Sequence, residues 1–308
     1  MSEVTKVLHR QNYPAIDAAS PEQSQAGRTV LITGASEVVG RAAAQGFVTA
    51  GADTVAITSR SAEKAARVAK ELEAAGNGQT KVRGYALDLD DEASVQGLWD
   101  QLARDGVQVD VLILNASSQI PTADKYDPSS VSQLFKAFDY GIKNQYMNVL
   151  RFQAQGSKEG KSSKVLLHVA TNAIHFNETA PHYLSVGSSR IALTRLLQDA
   201  AAFVPASEMQ IINLHPGFVF TPFNAIHGYT RESIPFDDES LPGNFYVWAS
   251  TQKAAFLHGR FLWANWDVDE LIAMKPKFEA DKGFLKVGLQ GVASQDFNML
   301  FAGMNRSV

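Results

Sequence analysis

Short apolar runs of strand length alternate along this chain with longer stretches in which apolar side chains recur at helical spacing. The runs are Val30-Leu31-Ile32, Val55-Ala56-Ile57, Tyr85-Ala86-Leu87, Val111-Leu112-Ile113-Leu114, Val165-Leu166-Leu167 and Ile211-Ile212-Asn213-Leu214. They are apolar throughout instead of alternating, which predicts strands buried on both faces between layers of helices. Between them, Ala62 to Ala75 is rich in Ala, Glu, Lys and Arg, and Ser130 to Gln155 keeps a long helical period. The segment from Gly259 to Trp266 reads as an edge strand closing the sheet. The pattern predicts an α/β fold, a single doubly wound parallel sheet of about seven strands with helices on both faces.

No repeat at a solenoid period and no linker divides the chain. The reading is therefore a polar N-terminal extension over residues 1–27 followed by one domain over 28–308. Within it, Pro222 to about residue 245 carries Phe223, Ile226, Tyr229, Ile234, Phe236 and Leu241 among turn-forming residues, the pattern of a lid over an apolar pocket. A C-terminal extension begins after about residue 267.

Composition narrows the function classes. With 28 Lys and Arg against 32 Asp and Glu, the net charge of −4 offers no field for gathering nucleic-acid phosphates. Cysteine is absent, which removes disulfides, thiolate metal sites and cysteine nucleophiles and fits a reducing compartment. Glu3, Lys6, His9, Arg10 and Asp17 interrupt the first residues, so no signal peptide is expected there, and no apolar run is long enough to span a membrane. A cytoplasmic protein with a small-molecule partner, and no nucleic acid or membrane, is the expectation. No histidine pair has metal-ligand spacing and no G-x-S-x-G elbow follows a strand, which sets aside a metalloenzyme and a serine hydrolase.

Thr33-Gly34-Ala35-Ser36-Glu37-Val38-Val39-Gly40 follows the first strand and opens a helix. A dinucleotide pyrophosphate rests at such a junction, against helix N-terminal amides. Asp88-Leu89 ends the third strand, Asn115-Ala116 follows the fourth, and Pro216-Gly217 with Thr221 follows the sixth. In this order the segments, covering roughly residues 28 to 222, resemble the short-chain dehydrogenase/reductase family, with its T-G-x-x-x-G-x-G loop, N-N-A-G turn and P-G-x-x-x-T segment. The likeness implies a Rossmann-type fold and a nicotinamide dinucleotide held by Thr33, Gly34, Ser36, Val38, Gly40, Asp88, Leu89, Asn115, Ala116, Pro216, Gly217 and Thr221. Two positions depart from the pattern: Val38 replaces the middle glycine, and Ser117 the glycine of the turn. Thr58-Ser59-Arg60 ends the second strand without an acid for a ribose diol and with an arginine for a 2′-phosphate, so NADP is the expected cofactor. Glu37 is the opposing feature, since a carboxylate there would repel that phosphate.

The resemblance also locates the chemistry. Tyr183 matches the family's proton-donating tyrosine, whose pKa a lysine four residues later lowers; that position is Gly187. Thr171 matches the serine that positions the substrate carbonyl if the following loop is one residue shorter, and Ala170 falls there otherwise. The asparagine position falls on Gly141. Two glycines in place of long side chains predict an enlarged pocket. His168, His175 and His182 are candidates for a replacement proton relay, and Arg190, two turns beyond Tyr183 on the same face, for a replacement cation.

Three functions fit: an NADP(H)-linked oxidoreductase on a small organic substrate of the secondary-metabolite kind, suggested by a C-terminal extension like that of fungal relatives; a non-redox isomerase, dehydratase or cyclase on the same fold; and a noncatalytic family member. Apolar positions Leu134, Phe138, Leu193, Leu196 and Leu197 on the helices that pair across subunits in the family predict a homodimer or homotetramer.

Overall fold

The computed structural model describes residues 4–76, 78–117, 131–155, 163–175 and 184–288. Seven parallel strands form one sheet in the order β3-β2-β1-β4-β5-β6-β7: β1 (Thr29–Ile32), β2 (Thr54–Ser59), β3 (Lys81–Ala86), β4 (Val111–Leu114), β5 (Lys164–Val169), β6 (Met209–His215) and β7 (Phe261–Trp263). The order reverses at β1, which pairs with β2 through Val30↔Val55 and with β4 through Val30↔Val111. In open parallel sheets the crevice at the carboxyl ends of the two diverging strands is where ligands bind.

The unbroken apolar runs have a direct structural cause. Val30, Ile32, Val111 and Ile113 belong to one core cluster while Leu31, Leu112 and Leu114 belong to the other, so alternate side chains enter opposite layers and none meets water. One layer contains α1 (Val38–Thr49) and α2 (Ala62–Ala75); the other contains α3 (Glu92–Arg104), α4 (Val131–Phe138) and α5 (Asn144–Ala154), with α6 (Leu184–Phe203). Helix starts are fixed locally: Ser61 accepts from the Lys64 amide at 3.1 Å and Asp91 from Ala93 at 3.0 Å. The predicted helix over 130–155 is interrupted, because Asp139–Lys143 forms a π-turn between α4 and α5.

The segment 222–245, where the sequence suggested a lid, divides into two parts. After the short α7 (Pro222–Ile226), Ile226 and Tyr229 are exposed, but α8 (Ser240–Ala249) buries Leu241, Phe245, Tyr246 and Trp248 in the core. Its close approach to α1 explains the glycines at the crossing: a Cβ on Gly46 would lie 2.4 Å from the Gly243 carbonyl oxygen. Leu193 and Leu197 are likewise fully buried within the chain, so they are not spare apolar surface as the sequence suggested. Val131, Phe135 and Leu150 are the exposed apolar side chains of α4 and α5.

The N-terminal extension lies along the far edge of the sheet. Tyr13 stacks on His9 and donates to the Trp266 carbonyl, His9 pairs with Asp267 at 2.8 Å, and Arg10 reaches Asp237 at 2.9 Å. Beyond β7, α9 (Val268–Ala273) and α10 (Lys275–Ala280) build the C-terminal extension. No helix among the described residues is long and apolar enough to cross a membrane.

Candidate active site

A cleft of about 850 Å³ opens at the carboxyl ends of the strands. Gly34, Ser36, Val38, Gly40, Arg60, Leu89, Asn115, Ala116, Thr171, Pro216, Gly217 and Thr221 line it. Thr33 and Asp88 stand behind its wall. The Thr33 hydroxyl accepts from the amides of Asn115 (3.0 Å) and Ala116 (3.1 Å), and the Asp88 carboxylate accepts from the Asp90 amide (3.0 Å). Leu87, Leu89 and Asp90 present the surface at the end of β3. Tyr183 and His182 lie outside the described residues.

Two turns are locked face to face. Asn115 Nδ2 donates to the carbonyls of Thr33 (3.0 Å) and Gly34 (3.1 Å), and a Cβ on Gly40 would stand 2.5 Å from that same nitrogen. Gly34, at φ +66°, leaves no room for a side chain against Ala116, whose Cα would lie 2.9 Å from an added Cβ. Val38 has φ 28°, inside the left-handed region, where a β-branched residue is strained. The backbone therefore keeps the shape the glycine pattern demands although the side chain opposes it.

The charge at the β2 end differs from the sequence expectation. Glu37 forms an ion pair with Lys64, a residue of α2 that the sequence reading passed over. Its negative charge is thus matched, while Arg60 lines the same rim with no carboxylate in ion-pair reach among the described residues. Burial, and then Asp88, raise the Asp90 carboxyl above its usual range.

At the opposite end, the replacement relay takes a different form. His168 is fully buried in β5; burial first and the Arg190 charge second push its pKa down to about 3, so it does not titrate near neutrality as expected. Arg190 Nη1 has only protons to give, so His168 Nε2 accepts at 3.1 Å and its Nδ1 proton goes to Asn213 Oδ1 at 2.9 Å. Arg190 Nη2 donates to the Ala116 carbonyl at 2.7 Å. His175, also lowered by burial, packs edge-on against Phe261 at 4.3 Å. His215, which the sequence did not single out, lines the cleft beside Thr171 and Asn172, and is held at about 3, chiefly by burial.

The two glycines behave differently. A Cβ on Gly187 would meet nothing within 4 Å among the described residues. A Cβ on Gly141 would stand 2.8 Å from Ser189 Oγ and 2.9 Å from Ser189 Cβ, so Ser189 of α6 crowds this position, and only a small cavity lined by Gly141, Ser185, Ser189 and Arg190 remains beside it. Tyr140, next to it in the π-turn, lines the cleft with its phenol raised by burial to about 12.

The match of residues 28–230 to the short chain dehydrogenase family model falls on this architecture, from the start of β1 to the loop beyond α7. The chain belongs to the short-chain dehydrogenase/reductase family. It is 32% identical over 288 residues to the short chain dehydrogenase/reductase AacuD of Aspergillus aculeatus, covering 92% of this chain and 96% of that one. It is 31% identical over 289 residues to the short chain dehydrogenase/reductase nsrO of Aspergillus novofumigatus, with the same coverage of 92% and 96%. The Pseudomonas aeruginosa RhlG/NADP complex superposes with a TM-score of 0.69 at 22% identity, over 79% of this chain and 97% of that one. Membership makes the protein an oxidoreductase of the short-chain type and its Rossmann cleft a nicotinamide dinucleotide site in general. Val38, in the glycine loop, stands at a left-handed φ of 28°.

Proposed function

We propose that the protein is an NADP(H)-linked oxidoreductase acting on a small organic substrate of the secondary-metabolite kind. The observation that carries the cofactor choice is the β2 rim, where Arg60 forms no ion pair among the described residues, although the Asp90 carboxylate feels its charge across the cleft, and Glu37 is paired with Lys64. A 2′-phosphate would meet a guanidinium there, with Asp90 as the nearby carboxylate it would have to outcompete. The locked pair of turns at Gly34, Gly40 and Asn115 fits a pyrophosphate, since backbone instead of side chains forms its surface. When bound, the nicotinamide supplies the hydride chemistry. Tyr183 serves as the proton donor by the family resemblance, and Thr171, at the end of β5 in the cleft wall, holds the substrate oxygen. The likeness in sequence to fungal relatives such as AacuD and nsrO supports the substrate class.

The test is calorimetric titration with NADPH and NADH, followed by substrate-dependent loss of the reduced nicotinamide's absorbance. NADPH is expected to bind tighter; equal or tighter NADH binding would sink the assignment.

A second reading follows from glycine at position 187: with no lysine four residues after Tyr183, a non-redox isomerisation, dehydration or cyclisation uses the cleft that neighbouring Val186 and Arg190 line. Turnover without nucleotide consumption would select it. The exposed Val131, Phe135 and Leu150 favour a homodimer or homotetramer through α4 and α5, which light scattering tests directly.

A further inference from the structure

Arg190 is 5% exposed, on α6, and lines the cleft beside Ser117, Tyr140 and Val186. Its partners are a neutral imidazole and one carbonyl, and among the described residues no carboxylate lies within ion-pair distance. The other strongly buried arginines are solvated differently. Arg260 donates to four carbonyls, those of Phe278, Asp281, Lys282 and Phe284, and Arg28 donates to the Ser250 carbonyl and Gln25 with Asp110 nearby. A buried cation left without compensation is costly, and burial pulls Arg190 down to about 10 without bringing it near neutralisation at physiological pH. The Asn213–His168–Arg190 chain, drawn from β6, β5 and α6, holds the guanidinium rigidly at the cleft floor. Two of its five N–H groups are committed to His168 and Ala116, and the remaining donors have no partner among the described residues.

We infer that Arg190 is an anion-recognising residue of the substrate half of the cleft, and that the substrate presents an anionic oxygen, a carboxylate or an ionised phenol or enol. Its carbon skeleton packs on Phe218, Phe223 and Phe236, which line the same cleft. This rests on reading the cleft as the reaction site, but not on the identity of the nucleotide.

Two pairs of probes, each an anion with its neutral counterpart, are titrated calorimetrically into the full-length protein: 2-naphthoate with 2-naphthamide, and 2,4-dinitro-1-naphtholate with its methyl ether. At least one anion is expected to bind tenfold or more tightly than its counterpart, and the pair that discriminates tells carboxylate from phenolate. Arg190→Met should reduce that ratio below about threefold, and Arg190→Lys should keep part of it, as a point charge without the planar fork. NADPH is titrated into the same variants. Absent discrimination in the unmodified protein overturns the inference even if Arg190→Met fails to fold, and so does discrimination that survives in Arg190→Met. A tenfold loss of NADPH affinity in Arg190→Met with unchanged probe ratios would assign Arg190 to the nucleotide and equally overturn it. Failure of NADPH to bind while the probes still discriminate would defeat the cofactor assignment and leave this one standing.

Discussion

Replacing Val38 by glycine isolates a conflict between sequence and backbone. Val38 sits at φ 28°, where its Cβ and branched methyls crowd the neighbouring peptide, a conformation costing about 1–3 kcal/mol for a non-glycine residue. Glycine removes that strain but adds unfolded-state freedom worth about 0.5–1 kcal/mol. The net expectation for Val38→Gly is stabilisation by about 0–2 kcal/mol, a rise of a few degrees in Tm for a chain of this size. Because Val38 also lines the cleft next to Gly40, the same change clears the path of a pyrophosphate. Val38→Ala separates the two effects, since it trims the side chain yet leaves a Cβ in the left-handed region. Denaturant unfolding and NADPH calorimetry on the three proteins decide. If strain dominates, only glycine raises stability; if side-chain bulk limits binding, alanine and glycine tighten NADPH alike. A glycine variant less stable than the parent by 0.5 kcal/mol or more refutes the strain argument, because the entropic cost would then have won.

Arg60→Ala should erase the preference for NADPH over NADH, about tenfold or more, while Ser59→Ala should leave it; an unchanged ratio in calorimetry would remove Arg60 from the site. Gly187→Ala should be neutral or stabilising by up to about 1 kcal/mol, whereas Gly141→Ala should cost about 1–3 kcal/mol because Ser189 must move, and similar unfolding midpoints for both would contradict the packing. Stability should fall in acid through His168 and His215, both held at about 3 when folded. The unfolded chain, with histidine near 6.5, takes up more protons between those values, so the stabilisation is complete above 6.5 and about 2 kcal/mol per histidine is lost by pH 5. Equal denaturant midpoints at pH 7 and pH 5 would disprove this. Arg10→Ala should speed hydrogen exchange at the Phe218 amide, which donates at 2.7 Å to the Asp237 carboxylate that Arg10 also holds; unaltered exchange there would show that the N-terminal extension does not brace the cleft wall.

The sheet was legible because its strands are buried on both faces, and that alone imposes the unbroken apolar runs from Val30-Leu31-Ile32 onward. The glycine loop was legible because backbone geometry at Gly34 and Gly40 leaves few alternatives. Pairings between distant residues were not. Arg10 and Asp237 stand 227 residues apart, and nothing local marks either as half of a contact. Lys64 reads as one more charge on an amphipathic helix until the fold brings it to Glu37. The stretch leading into α8 looked like a loop because of Pro242 and Gly243, yet proline is tolerated in a first helical turn and glycine is what lets α8 touch α1.

Gly141 and Gly187 give the same signal in sequence, a lost side chain at a position where the family keeps a functional one. They part in three dimensions because a vacancy persists only where the surrounding backbone cannot relax into it. Gly141 lies inside a π-turn, facing α6, where Ser189 stands over it. Gly187 lies on α6 itself, and among the described residues nothing comes within 4 Å of a Cβ there. Arg190 is three residues further along that helix, on the neighbouring part of the same face, and it lines the cleft beside Ser117 and Tyr140, away from the Arg60 and Lys64 rim. Where the family resemblance puts a lysine at position 187, this chain has a cation about one turn further along α6, a guanidinium anchored on His168 and Ala116. A fixed cation of that kind is suited to holding an anionic group in place, and Gly187→Lys tests whether the original position can still be used: restored turnover near neutral pH would mean that the shift is tolerated, and loss of the native reaction would mean that the open space belongs to the substrate.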